Sequence, residues 1–275
     1  MSLKTPLRYP GGKSKSVEFL RDRFPSITEY REPFIGGGSV AIHVAKNFPS
    51  VPIWINDLYY PLFCFWTTLQ KHSDRMIKEI HEIKDRMTNK EVSKEIFSQS
   101  QEILNTSEDP YLLGLHFYVA NKCSFSGLGQ TGSFSHKASI SNFSKKGIDK
   151  LAGYSKIISG WKITNLDYSE WLDDSDAFVF LDPPYEIGKV YLYGKRGNTH
   201  RGFDHDDFAK KCNESSNKIM ITYNSNSSIK DRFDGWNTEE WDLTYTMRSV
   251  GEYMENQKDR KELLLTNYGR GVLPI

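Results

Sequence analysis

Chemistry in this chain has to start from a few acids, a glycine turn and an aromatic ring. Asp182 follows the apolar run Phe178-Val179-Phe180-Leu181 and precedes Pro183, Pro184 and Tyr185. Continuous strand-forming residues that stop at a proline turn predict a buried strand with an abrupt end. Open α/β sheets bind their ligands just beyond such carboxyl ends. Asp182 would then stand at the mouth of a site, at an angle that the two prolines stiffen. An ordinary strand end with a turn is the plain alternative, since Asp and Pro are common there. The ring of Tyr185 and the rest of the chain weigh against it.

A second group lies near the start. Tyr30-Arg31-Glu32-Pro33-Phe34-Ile35-Gly36-Gly37-Gly38-Ser39-Val40 reads as a short strand ending near Phe34, a glycine turn, and a helix to about Asn47 that Ser39 can cap. Glycines let backbone approach a ligand closely, and a helix start offers unpaired N–H groups. Pro52 to Asp57 then reads as a strand ending in an acid, roughly 20 residues past the glycines, the spacing of a carboxylate that grips ribose hydroxyls. Together these predict a nucleoside-type cofactor. Ahead of them, Tyr9-Pro10-Gly11-Gly12-Lys13-Ser14 invites a phosphate-loop reading. Its first glycine is missing and no apolar strand precedes it, so a turn that packs Tyr9 and Lys13 against another ligand is preferred.

The elements that must hold these residues are of two kinds. Short strands at 161–165, 177–181, 218–223, 241–247 and 262–266 join the first two in an α/β sheet. The last connection is too short for a crossover helix and predicts an antiparallel pair. Short helices are expected at 16–23, from a cap at Asp204 to Lys211, and at 229–233. Residues 59–118 show helical spacing, with Lys84 to Lys94 a solvated face and His116 a packed, satisfied histidine. Asn121 to Phe134 is polar and rich in Gly and Ser, with Lys137, Lys145, Lys146 and Lys150 following. Such a local basic surface suits a DNA backbone, and a surface loop is the alternative. The basic, aromatic stretch 191–203 looks like a loop over a polyanion.

Composition bounds the rest. The 275 residues carry a net charge of +1, so any nucleic-acid binding must come from a local patch. Cys64, Cys123 and Cys212 form neither a metal-spaced cluster nor a disulfide framework, which suggests a reducing compartment and no metal. The first residues lack a signal peptide's apolar run and no run approaches the ~20 residues of a membrane span, so a cytoplasmic protein with no membrane partner is expected.

In order, Tyr9-Pro-Gly-Gly-Lys13, Glu32-Pro-Phe-Ile-Gly-Gly-Gly38 and Asp182-Pro-Pro-Tyr185 resemble the Dam-like, D12-class family of DNA N6-adenine methyltransferases, α group, over about residues 7–268. The resemblance implies a Rossmann-like class I fold, a mostly parallel seven-stranded sheet with its last strand reversed. Residues 1–60 and 156–275 would form the catalytic domain, with 61–155 an inserted helical, target-recognition domain. It implies S-adenosylmethionine as cofactor, with Tyr9, Lys13, Glu32, Phe34, Gly36, Gly38, Asp57, Asp167 and Asp182 around it. Asp182, Pro183, Pro184 and Tyr185 would be catalytic, on an adenine flipped out of duplex DNA. The segment 121–134 looks like the family's recognition hairpin, with Phe125 as a wedge and Ser126 beside it. Where GATC-reading members carry an arginine this chain has Gln130, which suits adenine better than guanine. Lys122, Lys137, Lys195, Arg196 and Arg201 would contact phosphates. A monomer is expected, a dimer on DNA being the alternative. Rival readings are a catalytically silent DNA-binding regulator of the same fold and an adenine methyltransferase acting on RNA. Cytosine N4 methylation and protein glutamine methylation fit the Asp182 motif less well.

Overall fold

A computed structural model of the chain describes residues 3–173, 175–185, 203–242 and 261–269. Among them seven strands form one sheet: β1 (Tyr30–Glu32), β2 (Ile53–Asn56), β3 (Lys162–Thr164), β4 (Phe178–Leu181), β5 (Lys218–Asn224), β6 (Asn237–Asp242) and β7 (Lys261–Thr266). Their order is β3-β2-β1-β4-β5-β7-β6. β1 pairs in parallel with β2 and β4, β2 with β3, and β4 with β5. β7 alone is reversed, antiparallel to both β5 and β6. The winding changes direction between β1 and β4, and a ligand crevice opens at such a switch point. The glycine turn after β1 and Asp182 after β4 both lie there.

β4 is central because its residues are apolar on both faces. Phe178 and Phe180 enter one core with Tyr30, Ile55 and Trp66, while Val179 and Leu181 enter the other with Ile221 and Phe208. Period-two alternation sends successive side chains to opposite faces. Each such burial stabilises the strand by about 1.5–3 kcal/mol. The neighbour β6 shows the opposite case. It begins at Asn237 rather than Trp241, since an edge strand paired on one side tolerates the polar Asn-Thr-Glu-Glu run that hid its start. The rest of the expected 241–247 strand lies outside the described residues.

The helices before β3 are α1 (Val17–Arg21), α2 (Ser39–Asn47), α3 (Tyr60–Lys71), α4 (Ser73–Arg86), α5 (Lys90–Thr106), α6 (Pro110–Cys123), α7 (His136–Ser141), α8 (Lys145–Asp149) and α9 (Leu151–Ile158). Ser39 does not cap α2. Gly38 holds the cap position at φ 70, and Ser39 is the first helical residue. α6 starts as its sequence dictates, with Asp109 accepting from the Tyr111 and Leu112 amides and Pro110 in the first turn. The segment from α3 to α8 shares the first core with the sheet through Phe65, Leu104, Phe117 and Ile148. The expected boundary at 155/156 falls inside α9. His116 packs with Nδ1 3.0 Å from Ser100 Oγ, and burial lowers its pKa to about 4. Two further helices, His205–Glu214 and Ser227–Arg232, flank β5, the first capped by Asp204. No helix among the described residues is long and apolar enough to cross a membrane.

Candidate active site

The carboxyl ends of β1, β2 and β3 are tied by one buried amide. Asn56 donates to the carbonyls of Pro33 and Leu166 and accepts from Thr164 Oγ1 and the Leu166 amide. A fully satisfied buried amide is a stiff brace. Next to it, Asp57 accepts from the Gly36 and Tyr59 amides at 3.2 and 3.0 Å. Burial raises its pKa from 3.8 to about 6, against the pull of those two bonds. Each carboxylate oxygen keeps a lone pair for a further donor such as a hydroxyl. Exposed Leu58 and Leu166 sit on the segments that Asn165 joins through the Asp57 and Leu58 carbonyls.

The glycine turn is shaped by two rings. Gly36 and Gly38 have φ of 45° and 70°. A Cβ on Gly36 would meet the Tyr9 ring at 2.9 Å, and one on Gly38 would meet Trp66 at 2.7 Å. Trp66 Nε1 also donates to the Gly36 carbonyl. Tyr9 therefore packs against the glycine turn. Glu32 plays a different part from the one implied by resemblance. Its Oε2 accepts from the Tyr30 hydroxyl and the Ala41 amide, which pins α2 to β1. Burial pushes its pKa to about 8. Phe34 stacks on Tyr168 and meets Phe203 edge-on, forming an aromatic wall. Asp167 is exposed and uses its Oδ1 to cap the turn Tyr168–Trp171 through Ser169.

At the end of β4 the Lys13 ammonium, 3% exposed, lies 2.7 Å from both oxygens of Asp182, whose side chain is 21% exposed. Lys13 also donates to the Gly11 carbonyl and stands 5.2 Å over the Tyr185 ring. Thr222 on β5 donates to Asp182 Oδ1 at 2.7 Å. Pro183 is buried and Pro184 half-buried between them. The Tyr185 ring stacks on Tyr223 and its hydroxyl donates to Glu262. Thr222, Tyr223 and Glu262 went unmarked in the sequence, because only strand pairing brings β5 and β7 beside β4.

The segment 121–134 is not a hairpin. It comprises the end of α6, two 3-10 turns (Phe125–Gly127 and Gly129–Thr131) and one antiparallel bridge, Ser124 to Phe134. Glycines at 127 and 129, both at positive φ, and no alternation of apolar residues leave little for a strand ladder. Asn121 clamps it to the N-terminal segment: it accepts from the Arg8 amide and donates to the carbonyls of Arg8 and Gly127. Phe125 is 44% exposed at the tip, beside Ser126 at φ 56. Gln130 is turned inward, accepting from Tyr59 and donating to Leu104 and Asn105. An amide occupied at both ends does not read a base in this arrangement, so the expectation for Gln130 is revised. Lys122 lies over the Tyr118 ring, and burial with the charges of Arg8 and Lys150 lowers its pKa to about 8. Lys137 is exposed on α7. Lys195, Arg196 and Arg201 lie outside the described residues, and no metal-binding cluster occurs among those described.

The donor set fits a nucleoside: Asp57 can accept from hydroxyls, with apolar Leu58 and Leu166 beside it. The profile of D12 class N6 adenine-specific DNA methyltransferases matches residues 9–247. Over 298 aligned positions the chain is 23% identical to the type II methyltransferase M.MjaIII of Methanocaldococcus jannaschii, covering 98% of this chain and 100% of that protein. It is 22% identical to the type II methyltransferase M.CviBI of Paramecium bursaria Chlorella virus NC1A, over 97% and 100%. A DNA adenine methylase of Vibrio cholerae is 25% identical over 65% of this chain and 64% of that protein. A match over most of the chain agrees with the doubly wound sheet and its reversed β7, and the chain belongs to the D12 class of N6 adenine-specific DNA methyltransferases, which use S-adenosylmethionine on duplex DNA.

Proposed function

We propose that methyl transfer takes place between the glycine turn and Asp182, on an adenine extruded from a short recognition sequence. The observation that carries this is the position of Asp182 and Tyr185 at the end of β4, across the switch point from Gly36 to Gly38. An adenine amino group is a poor nucleophile because its lone pair is delocalised into the ring. Asp182 and the Pro183 carbonyl accept its two hydrogens and favour a pyramidal nitrogen, while the Tyr185 ring stacks the base. S-adenosylmethionine, when bound, would supply the electrophilic methyl group and leave as a neutral thioether, and the extra proton on the methylated nitrogen would depart after transfer. Asp57 would hold its ribose hydroxyls, Tyr9 and Lys13 would line its methionine side, Phe34, Gly36 and Gly38 would cradle it, and Asp167 would contact its adenine. Catalysis is then positioning and electrostatics, with no covalent enzyme intermediate. A base inside a duplex cannot reach such a site, so it is flipped, and Phe125 is the wedge that fills the gap.

Lys122, Ser126 and Lys137 contact the DNA, as do Lys195, Arg196 and Arg201. Specificity is not tied to GATC, since no arginine stands at position 130. End-to-end similarity to two proteins named type II methyltransferases supports a sequence-specific modification enzyme. Transfer of labelled methyl groups to duplex DNA, with single-molecule mapping of N6-methyladenine, is the test. Label on RNA alone, on cytosine, or on nothing would overturn the reading; methylation confined to GATC would overturn the specificity.

A further inference from the structure

Glu262 is 4% exposed on β7, followed by the buried leucines 263, 264 and 265. A carboxyl group buried in a leucine strand is costly unless its oxygens are hydrogen-bonded. Tyr185 meets that need, its hydroxyl donating to Glu262 Oε2 at 2.5 Å. The second constraint on the ring comes from the adjacent strand. Tyr223 on β5 stacks on Tyr185 with centroids 5.7 Å and planes 27° apart, and its own hydroxyl bonds to His205 Nδ1. In the β5–β7 register Tyr223 faces Leu263 and Asn224 faces Glu262, so both constraints issue from neighbouring rungs. A stacked partner limits the tilt of a ring but lets it slide in its own plane. A hydroxyl anchored to a strand removes that sliding.

We propose that Glu262 is a positioning residue for methyl transfer. It anchors the Tyr185 hydroxyl so that the ring presents the flipped adenine with its amino group at Asp182. This rests on the reading of Tyr185 as the stacking face. Glu262 acts on the reaction through the Tyr185 hydroxyl, at a distance in sequence that no motif around residue 182 spans.

Three substitutions separate this from a merely structural role. Tyr185→Phe keeps the ring and removes the hydroxyl, Glu262→Leu removes the acceptor, and Glu262→Gln keeps one. Tyr185→Phe and Glu262→Leu are each expected to lower kcat about tenfold with a smaller change in KM for DNA, a barrier increase of about 1.4 kcal/mol. The double variant should be no worse than either single one, as a shared contact requires. Glu262→Gln should stay within about twofold of the parent. In duplexes with 2-aminopurine at the mapped target adenine, both damaging variants should give brighter fluorescence, since loosened stacking quenches it less. Additive losses, unchanged kcat in Tyr185→Phe, or a Glu262→Gln variant as impaired as Glu262→Leu would overturn the proposal. Should Glu262→Leu fail to fold by thermal melting, Tyr185→Phe against Glu262→Gln decides alone. A parent protein that methylates no DNA sinks the reading of the site instead, a distinguishable result.

Discussion

The strand ends and the recognition segment are held in contrasting ways. At the ends of β1, β2 and β4 every acid is fixed by hydrogen bonds from neighbouring turns, helices and strands: Asp57 by two amides, Glu32 by Tyr30 and Ala41, Asp182 by Lys13 and Thr222. The segment 121–134 has no ladder beneath it. It hangs from Asn121, from Gln101, which donates to three of its carbonyls, and from Gln130. Strand ends lock a geometry that a reaction needs unchanged. Side-chain amides hold a backbone path while its tip, Phe125, stays exposed. That difference suits the proposed division between an unvarying chemistry at Asp182 and a recognition segment around Phe125.

The largest effect should come from the rigid end. Asp182→Asn, which keeps shape and removes charge, is expected to cut methyl transfer by about a thousandfold in a labelled-methyl assay. Asp182→Asn and Asp182→Ala should each also lose about 3 kcal/mol of stability, because both leave the buried Lys13 ammonium without its counter-charge. Parent-like melting of both variants would mean that the ion pair is not a structural tie. Asn121→Ala comes next, removing the clamp on Arg8 and Gly127. It should cost about 2 kcal/mol in denaturant unfolding and broaden the set of methylated sequences. Phe125→Ala should leave stability alone, since the ring is exposed, yet weaken binding to the cognate duplex by about tenfold.

The smallest effects are titrations. On the proposed ribose-binding role of Asp57, whose pKa burial raises to about 6, cofactor affinity by calorimetry should rise as pH climbs through about 6. The same shift has the opposite sign for folding. Ionising a carboxyl that the fold holds neutral opposes folding, so this group's contribution to stability falls as pH goes from about 4 to about 6. Asp57→Asn should flatten both curves. In the recognition segment, Lys122 has its pKa lowered to about 8 by burial, so raising pH through 8 should weaken DNA binding and reduce its salt slope by about one. A slope that ignores pH would place Lys122 away from phosphate.

Legibility followed locality. The strand ends at Asp182 and Asp57 and the glycine turn were readable because strand, turn and acid are consecutive in the chain. The reversed β7 was readable from a connection too short to cross the sheet. The inward turn of Gln130 was not, because its partners are Tyr59 on one side and Leu104 and Asn105 on the other. Nor was the bracing by Asn56, which joins three strand ends and looks in sequence like any polar residue before an acid.

What the amino-acid order determined by itself is the set of groups at each strand end, since apolar runs, prolines and glycines fix where strands stop and how they turn. Only the tertiary structure decided which groups meet. Thr222 bonds to Asp182 and Glu262 anchors Tyr185 because the parallel β4–β5 and antiparallel β5–β7 pairings stack distant segments into one wall. Those contacts depend on register across strands, a long-range property that no local pattern around any one of the residues encodes.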